Sequence, residues 1–220
     1  MILKSYIPSR YNTFFFIIGF LIWMFTSLKY FMLFGALYFL VYVILRRDHN
    51  HFRDDPTITR GVAFAPCNGK IVNIVEKVNH PFFGDELIEL QISIPWWKEM
   101  GVFLPVSSEI KDLRIFKGKS FFRLGNYAEK AGMANYSGLG IILDTKNHLV
   151  GLSLVRCPFG LWPEVTVMPG DRGSRRVNFG FLPFGGTLLL YLPKKYEILV
   201  KTNDEITCGE TIIAVIPDHA

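Results

Sequence analysis

The sequence has few cysteines and no basic stripe, and each shortage excludes a class of protein. Its three cysteines are far apart, odd in number and without the close spacing of metal ligands: Cys67, Cys157 and Cys208. They indicate a reduced domain without disulfides and give no support for a metal site. The net charge is +5, but no run of basic residues alternates with aromatics, so we expect no nucleic acid partner.

Charged residues are also missing from two apolar runs near the N-terminus. Residues 14–25 are apolar apart from Gly19, residues 30–45 are apolar again, and Lys29 lies between the runs. Each run is shorter than the roughly 20 residues that cross a bilayer directly. The preferred interpretation is two short helices that form a membrane hairpin. One long tilted helix, interrupted near Lys29, is the alternative.

The basic residues around these runs predict an orientation. Lys4 and Arg10 precede the first run, and Arg46 and Arg47 follow the second. Because basic residues favour the cytoplasmic side, where anionic lipid headgroups can neutralise them, we expect both ends to face the cytoplasm. No small-residue cleavage site follows the first run, which argues against a cleaved signal peptide. The predicted location is therefore the cell membrane, with a soluble domain that faces the cytoplasm.

Sustained helical periodicity is absent from residues 61–217. Short apolar or alternating segments are instead separated by turn-forming residues, a pattern typical of a compact, mainly β domain. The predicted organisation is a membrane anchor at 1–47, a linker at 48–60 and a β domain at 61–220. Between its two ends, this domain is predicted to have strands at 87–94, 102–106, 109–116, 140–144 and 149–155.

The two ends of the predicted β domain are similar to each other. Residues 62–75 alternate around an Asn-Gly turn, and residues 197–216 alternate around two polar turns. These stretches resemble the halves of a lipoyl or biotinyl barrel sandwich, which raises the hypothesis of a swinging cofactor on Lys130. Because Lys130 is far in sequence from both halves, we disfavour this carrier function.

One segment carries the most specific signal. Residues 176–187 read Arg-Val-Asn-Phe-Gly-Phe-Leu-Pro-Phe-Gly-Gly-Thr, and a strand-like run that ends at Pro193 follows them. This segment resembles the C-terminal processing segment of the pyruvoyl-dependent phosphatidylserine decarboxylases, in their short bacterial and archaeal form. Shorter matches occur in the family's order along nearly the whole chain: Phe52-Arg53-Asp54, Gly69-Lys70, Pro105-Val106-Ser107, Glu129-Lys130-Ala131 and Gly209-Glu210-Thr211.

The resemblance implies a specific chemistry. In active members of the family, a serine after the second Phe-Gly attacks the carbonyl of the preceding glycine, and the chain is cut there. The serine becomes a pyruvoyl group, whose carbonyl forms a Schiff base with the amine of phosphatidylserine. It accepts the electrons released with carbon dioxide, and phosphatidylethanolamine results. The matching position in this chain is Gly186, which has neither a hydroxyl nor a β-carbon.

Two further family positions are also substituted. The resemblance places an activating aspartate at Asn68 and an activating histidine at Met100. Asparagine can orient a partner but cannot take a proton, and methionine can do neither. The candidate catalytic positions are therefore Asn68, Met100 and Gly186, all of them substituted. We expect no cofactor in this chain, although active members carry covalent pyruvate.

Thr187 offers an alternative nucleophile, because it has both a hydroxyl and a β-carbon. Its attack on the Gly186 carbonyl would release a fragment that begins at Thr187 and carries a 2-oxobutanoyl group. The chain would then be an active decarboxylase, self-processed between Gly186 and Thr187. Ser174 also follows a glycine, but it lies on a charged turn and is interpreted as a solvated loop residue.

The sequence favours a membrane-anchored, non-catalytic relative of the decarboxylases, and whether it is an enzyme stays open. Its expected ligand is a membrane phospholipid, with phosphatidylserine as the first candidate. A homo-oligomer and an active paralogue are the two protein partnerships that the sequence leaves open.

Overall fold

The computed structural model describes residues 9–25, 28–45, 61–95, 98–118, 136–155, 162–182 and 185–217. The chain divides into two compact units, Met1–His51 and Phe52–Ala220. Several features of the sequence interpretation lie outside the described residues: the linker at 48–60, Lys4, Arg46, Arg47, Lys130 and Cys157.

The first unit contains a pair of helices, α1 (Ser9–Phe25) and α2 (Leu28–Leu45). The least exposed residues of α1 follow an i, i+3, i+4, i+7 spacing, which places them on one face: Phe15, Ile18, Gly19 and Ile22. This face packs against α2, where the rings of Phe15 and Tyr38 have centroids 5.3 Å apart. The sequence thus forms two separate helices in the two apolar runs.

Large apolar side chains are exposed elsewhere on the described part of this helix pair. Phe16 is the most exposed of them, at 77%. The others include Phe14, Ile17, Phe20, Leu21, Trp23, Met24, Met32, Leu33, Leu37 and Leu40. Among the helices of the described residues, none is both long enough and apolar enough to cross a membrane. The fold therefore does not support the predicted membrane hairpin.

The second unit is built from β-strands, so the predicted mainly β class is confirmed. Its described residues form fourteen strands: β1 (Val62–Phe64), β2 (Gly69–His80), β3 (Gly84–Ile94), β4 (Gly101–Phe103), β5 (Ser108–Phe116), β6 (Gly138–Asp144), β7 (Leu149–Val155), β8 (Glu164–Val165), β9 (Arg172–Gly173), β10 (Asn178–Phe181), β11 (Gly186–Pro193), β12 (Glu197–Ile198), β13 (Glu205–Ile206) and β14 (Ile212–Val215).

These strands form one large sheet and two small ones. The large sheet has the order β13-β2-β3-β11-β7-β6-β5-β9, and the small sheets have the orders β1-β14-β12 and β4-β10-β8. In the large sheet, β11 lies between β3 and β7, and every residue of Gly186–Pro193 pairs antiparallel with β3. The strand that follows the processing segment is thus central to the fold.

The two similar ends of the domain pair with each other. β1 pairs with β14, and β2 pairs with β13. The turns between these strands are joined by backbone hydrogen bonds, in which Ala65 N donates to Thr211 O at 2.9 Å and Gly209 N donates to Ala65 O at 3.1 Å. The turn before β2 and the turn before β14 therefore form one unit.

Alternation along β3 and β11 gives the large sheet an inner face and an outer face. Every second residue is buried in the main core on the inner face: Ile88, Leu90, Ile92, Ile94, Leu188, Leu190 and Leu192. Burial of each such side chain contributes about 1.5–3 kcal/mol. Because neighbours in a strand point to opposite faces, Glu89, Gln91, Thr187, Leu189 and Tyr191 lie on the outer face.

The turn between β2 and β3 folds over the outer face. His80 fixes this turn, because its Nδ1 accepts the backbone N–H groups of Phe82 at 3.2 Å and Phe83 at 3.3 Å. The Phe83 ring then stacks on Tyr191, with centroids 4.5 Å apart and planes at 25°. Phe83 also covers Gly151, where a β-carbon would come within 2.5 Å of the ring. On the outer face, aromatic rings of this turn therefore lie over the polar side chains of the sheet.

Candidate functional site

The processing segment enters β11 through two consecutive glycines. Gly185 has a φ of +72° and Gly186 a φ of +135°, values that side-chain-bearing residues rarely adopt. A β-carbon at Gly185 would also lie 2.3 Å from the carbonyl oxygen of Ile94. Gly185 N donates to Leu182 O at 3.2 Å, which closes the turn. The backbone here needs glycine, and Gly186 is the position at which the sequence resemblance predicts the reacting serine.

Thr187, the alternative nucleophile, is fully buried in the second position of β11. It pairs with Ser93 of β3, while Gly186 pairs with Ile94. The peptide bond that Thr187 would have to attack is therefore part of a continuous strand ladder. Formation of a tetrahedral centre at the Gly186 carbonyl would have to distort that ladder.

Asn68 lies in the turn before β2 and is nearly buried. Its side-chain Nδ2 donates to Glu99 Oε2 at 3.0 Å, and its Oδ1 accepts the backbone N–H of Cys208 at 2.8 Å. Both ends of the carboxamide are thus engaged within the protein. Asn68 links the turn before β2 to the turn before β14 and has no proton-accepting group of the kind that an aspartate would supply.

The segment before β4 contributes Glu99 and Met100, both buried. The backbone carbonyl of Met100 accepts the N–H of Leu182 at 2.9 Å, which connects this segment to the processing turn. The thioether of Met100 cannot act as a general base. Glu99 can, and its carboxylate accepts the hydrogen bond from Asn68.

The structure brings the three predicted positions to one end of the large sheet. β2, β3 and β11 are neighbours, and their register aligns Lys70 of β2 with Ser93 of β3 and Thr187 of β11. Asn68 directly precedes β2, and Gly186 opens β11. Sequence reasoning missed Glu99, whose only local signal is its position beside Met100.

The thiols of Cys67 and Cys208 are buried beside Asn68 and are free. Burial raises the pKa of both thiols, and the nearby Cys67 and Glu99 raise the pKa of Cys208 further. A thiol held in its neutral form is a poor nucleophile. Among the described residues, no group of three or more His, Cys, Asp or Glu side chains could hold a metal ion. Ser174 is exposed on the loop between β9 and β10.

A second polar cluster lies on the outer face, beneath the turn between β2 and β3. Gln91 Nε2 donates to Glu89 Oε1 at 2.6 Å, and the Tyr191 hydroxyl also hydrogen-bonds to Glu89. Burial raises the pKa of Glu89, and these two hydrogen bonds offset part of the rise. Burial also raises the pKa of Tyr191, and the nearby Glu89 adds to the rise. Sequence reasoning did not predict this cluster.

The fold and the site define a β-sheet protein whose glycine-marked turn leads into a central strand. No family model matches the chain. Individual proteins do: it is 27% identical to the phosphatidylserine decarboxylase proenzyme of Polynucleobacter asymbioticus over 169 residues, 76% of each chain. It is 28% identical to that of Nitrosomonas eutropha, over 74% of this chain and 75% of the relative. It is 26% identical to that of Symbiobacterium thermophilum, over 71% and 72%. The chain is therefore similar to phosphatidylserine decarboxylase proenzymes over about three quarters of its length.

The residues of the site do not fit the pyruvoyl group that the resemblance to phosphatidylserine decarboxylases implies. A pyruvoyl group retains the β-carbon of the serine from which it forms, and Gly186 has no β-carbon. The backbone at Gly186 also has a positive φ that a serine would occupy only with strain. No chemistry of a pyruvoyl group at position 186 can therefore be assigned to this chain.

Proposed function

We propose that this chain is a non-catalytic member of the phosphatidylserine decarboxylase family, one that retains the scaffold and binds a phospholipid membrane. A single observation carries the proposal. Gly186 stands at the first position of the central strand, with a positive φ and no side chain, where self-processing needs a hydroxyl.

The two neighbouring positions support the same conclusion. Met100 has no group that could accept a proton, and the carboxamide of Asn68 is held by two buried hydrogen bonds. A serine-type nucleophile is weak until a base or a lowered pKa activates it. The chain therefore lacks the nucleophile at the family position together with both residues that would activate it.

Denaturing mass spectrometry of the purified full chain tests this proposal. We expect one species at the intact mass of 25.2 kDa, with no ketone that reacts with a hydrazide probe. Two fragments covering residues 1–186 and 187–220, the second with a ketoacyl cap, would overturn the proposal. That result would identify an active decarboxylase in which Thr187 is the nucleophile.

The membrane is the proposed binding partner because of the first unit. The described part of its helix pair exposes many large apolar side chains, and an exposed apolar surface of this kind usually marks an interaction site. Burial of such side chains among lipid acyl chains is favourable by about 25 cal/mol per Å². In this proposal the helix pair holds the chain at the cell membrane, with the β domain on the cytoplasmic side.

Vesicle flotation tests this association. The full chain should float with phosphatidylcholine vesicles, and addition of phosphatidylserine to the vesicles shows whether binding also depends on this headgroup. The double substitution Phe16→Glu and Phe20→Glu should weaken binding at least about tenfold, since it removes apolar area and adds two charges. Met168→Glu is the matched control, because Met168 is 73% exposed but lies in the β domain. Equal binding of both variants would contradict the proposal.

A further inference from the structure

The hydrogen bonds of Asn68 and Glu99 determine how the amide is oriented and where the charge lies. The Asn68 oxygen faces the N–H of Cys208, an obligatory donor, and its nitrogen faces the carboxylate of Glu99, an obligatory acceptor. Only this orientation of the carboxamide satisfies both partners. Glu99 is 2% exposed, so it relies on partners within the protein for the hydrogen bonds that water would give it.

The acid and the amide could also be exchanged between positions 68 and 99. An aspartate at position 68 could accept the N–H of Cys208 with one oxygen and an amide N–H from a glutamine at position 99 with the other. The net charge of the two positions and the hydrogen bond between them would be unchanged. The carboxylate would merely move from one side of the 3.0 Å contact to the other.

We propose that Glu99 fixes the orientation of the Asn68 carboxamide, and that positions 68 and 99 form an exchangeable pair that accommodates only one carboxylate. The inference rests on the proposed function in one respect, since it explains why position 68 does not carry the aspartate of active relatives. A carboxylate can be accommodated at position 68 only when position 99 carries a neutral side chain.

The physical reason is the cost of two buried carboxylates in contact. Asn68→Asp alone would replace a donor with an acceptor 3.0 Å from Glu99, and no N–H would remain between the oxygens. Like charges at this distance raise the pKa of one carboxyl group strongly, so the pair binds a proton in the folded state. The unfolded chain does not hold that proton above pH 5. Stability is therefore lost as the pH rises from the unfolded pKa towards the raised folded pKa.

Thermal unfolding of four full-length chains at pH 5 and pH 8 tests the pair: the wild type, Asn68→Asp, Glu99→Gln and the double variant. The unfolding midpoint of Asn68→Asp should fall by about 5 °C more than that of the wild type between the two pH values. The double variant should unfold within about 2 °C of the wild type at both. Glu99→Gln should show no added pH dependence, because it contains no acid pair.

Two results would overturn the inference. One is an unfolding midpoint of the double variant that is no higher than that of Asn68→Asp. The other is an unfolding midpoint of Asn68→Asp that changes with pH as much as that of the wild type. If Asn68→Asp does not fold at all, a folded double variant supports the pair and an unfolded one refutes it. The mass of the wild-type chain tests the proposed function separately, since it reports cleavage at Gly186 directly and does not depend on the unfolding midpoints.

Discussion

Tyr191 of β11 lies directly opposite Glu89 of β3, and its hydroxyl hydrogen-bonds to the buried Glu89 carboxylate. The stacked ring of Phe83 covers this pair. An acid group in such an environment favours its neutral form, because burial disfavours the charged form more than the two hydrogen bonds favour it. This relationship makes the stability of the β domain dependent on pH.

The first prediction concerns this dependence. The folded pKa of Glu89 is raised, so its contribution to stability is complete below the unfolded value and is lost as the pH rises through the folded pKa. Glu89→Gln should therefore gain stability relative to the wild type between pH 4 and pH 7, as measured by urea unfolding. Glu76→Gln, on an exposed residue of β2, is the control and should show no such gain. If the difference in free energy of unfolding between Glu89→Gln and the wild type does not change with pH, the prediction is contradicted.

The second prediction concerns the processing turn. Gly185→Ala should destabilise the fold by more than about 2 kcal/mol, because it combines a positive φ with overlap against the Ile94 carbonyl. Gly84→Ala is a matched control, since Gly84 has a φ of +117° but nothing within 4 Å of an added β-carbon. The control should cost about 1 kcal/mol, the strain alone. Chemical unfolding of both variants measures the difference, and equal losses would show that the overlap is relieved.

The third prediction concerns repair of the nucleophile. Gly186→Ser restores a hydroxyl but neither activating residue, so this single variant should not cleave itself efficiently. The serine would also have to adopt the positive φ of Gly186 or shift the start of β11. Denaturing electrophoresis after prolonged incubation measures the cleaved fraction, with Gly186→Ala as the control without a hydroxyl. Efficient cleavage of the serine variant would show that Asn68 and Met100 matter less than we infer.

The fourth prediction concerns His148, whose Nε2 lies 2.6 Å from the hydroxyl of Tyr196. Burial lowers the pKa of His148 to about 4, and the charge of Lys195 contributes to the shift. Its neutral form should therefore contribute stability that is present above the ordinary pKa of 6.5 and is lost as the pH falls towards 4. An NMR titration of the ring should place its midpoint near pH 4. A midpoint near 6.5 would mean that the ring is solvated.

Sequence reasoning predicted the strands whose alternation is strong. The predicted strands at 87–94, 109–116 and 149–155 correspond to β3, β5 and β7 within a few residues. The strand predicted at 102–106 ends at Phe103 instead. Leu104 leaves the strand because its N–H and carbonyl bond to the loop around Val177 and Arg176. This partner lies over 70 residues away, and no local pattern indicates it.

The candidate site was only partly predictable, again because some of its residues depend on partners that are distant in sequence. The positions of Asn68, Met100 and Gly186 follow from a sequence motif, whereas the importance of Glu99 depends on its partner. A charged residue beside Lys98 looks solvated in sequence, and its burial becomes apparent only through Asn68, which is 31 residues away. Glu89 and Gln91 were missed similarly, since polar residues at alternate positions of a strand normally face water.

The place of the Gly186–Thr187 bond in the fold has a practical consequence. Three of the described strands after it pair with strands from the earlier part: β11 lies between β3 and β7, β13 beside β2, and β14 beside β1. A chain severed at this bond would therefore still migrate as one particle in gel filtration and would keep a native far-ultraviolet spectrum. An assay on the folded protein would therefore not distinguish the cleaved chain from the intact one. Cleavage becomes visible only when the two fragments are separated in denaturant.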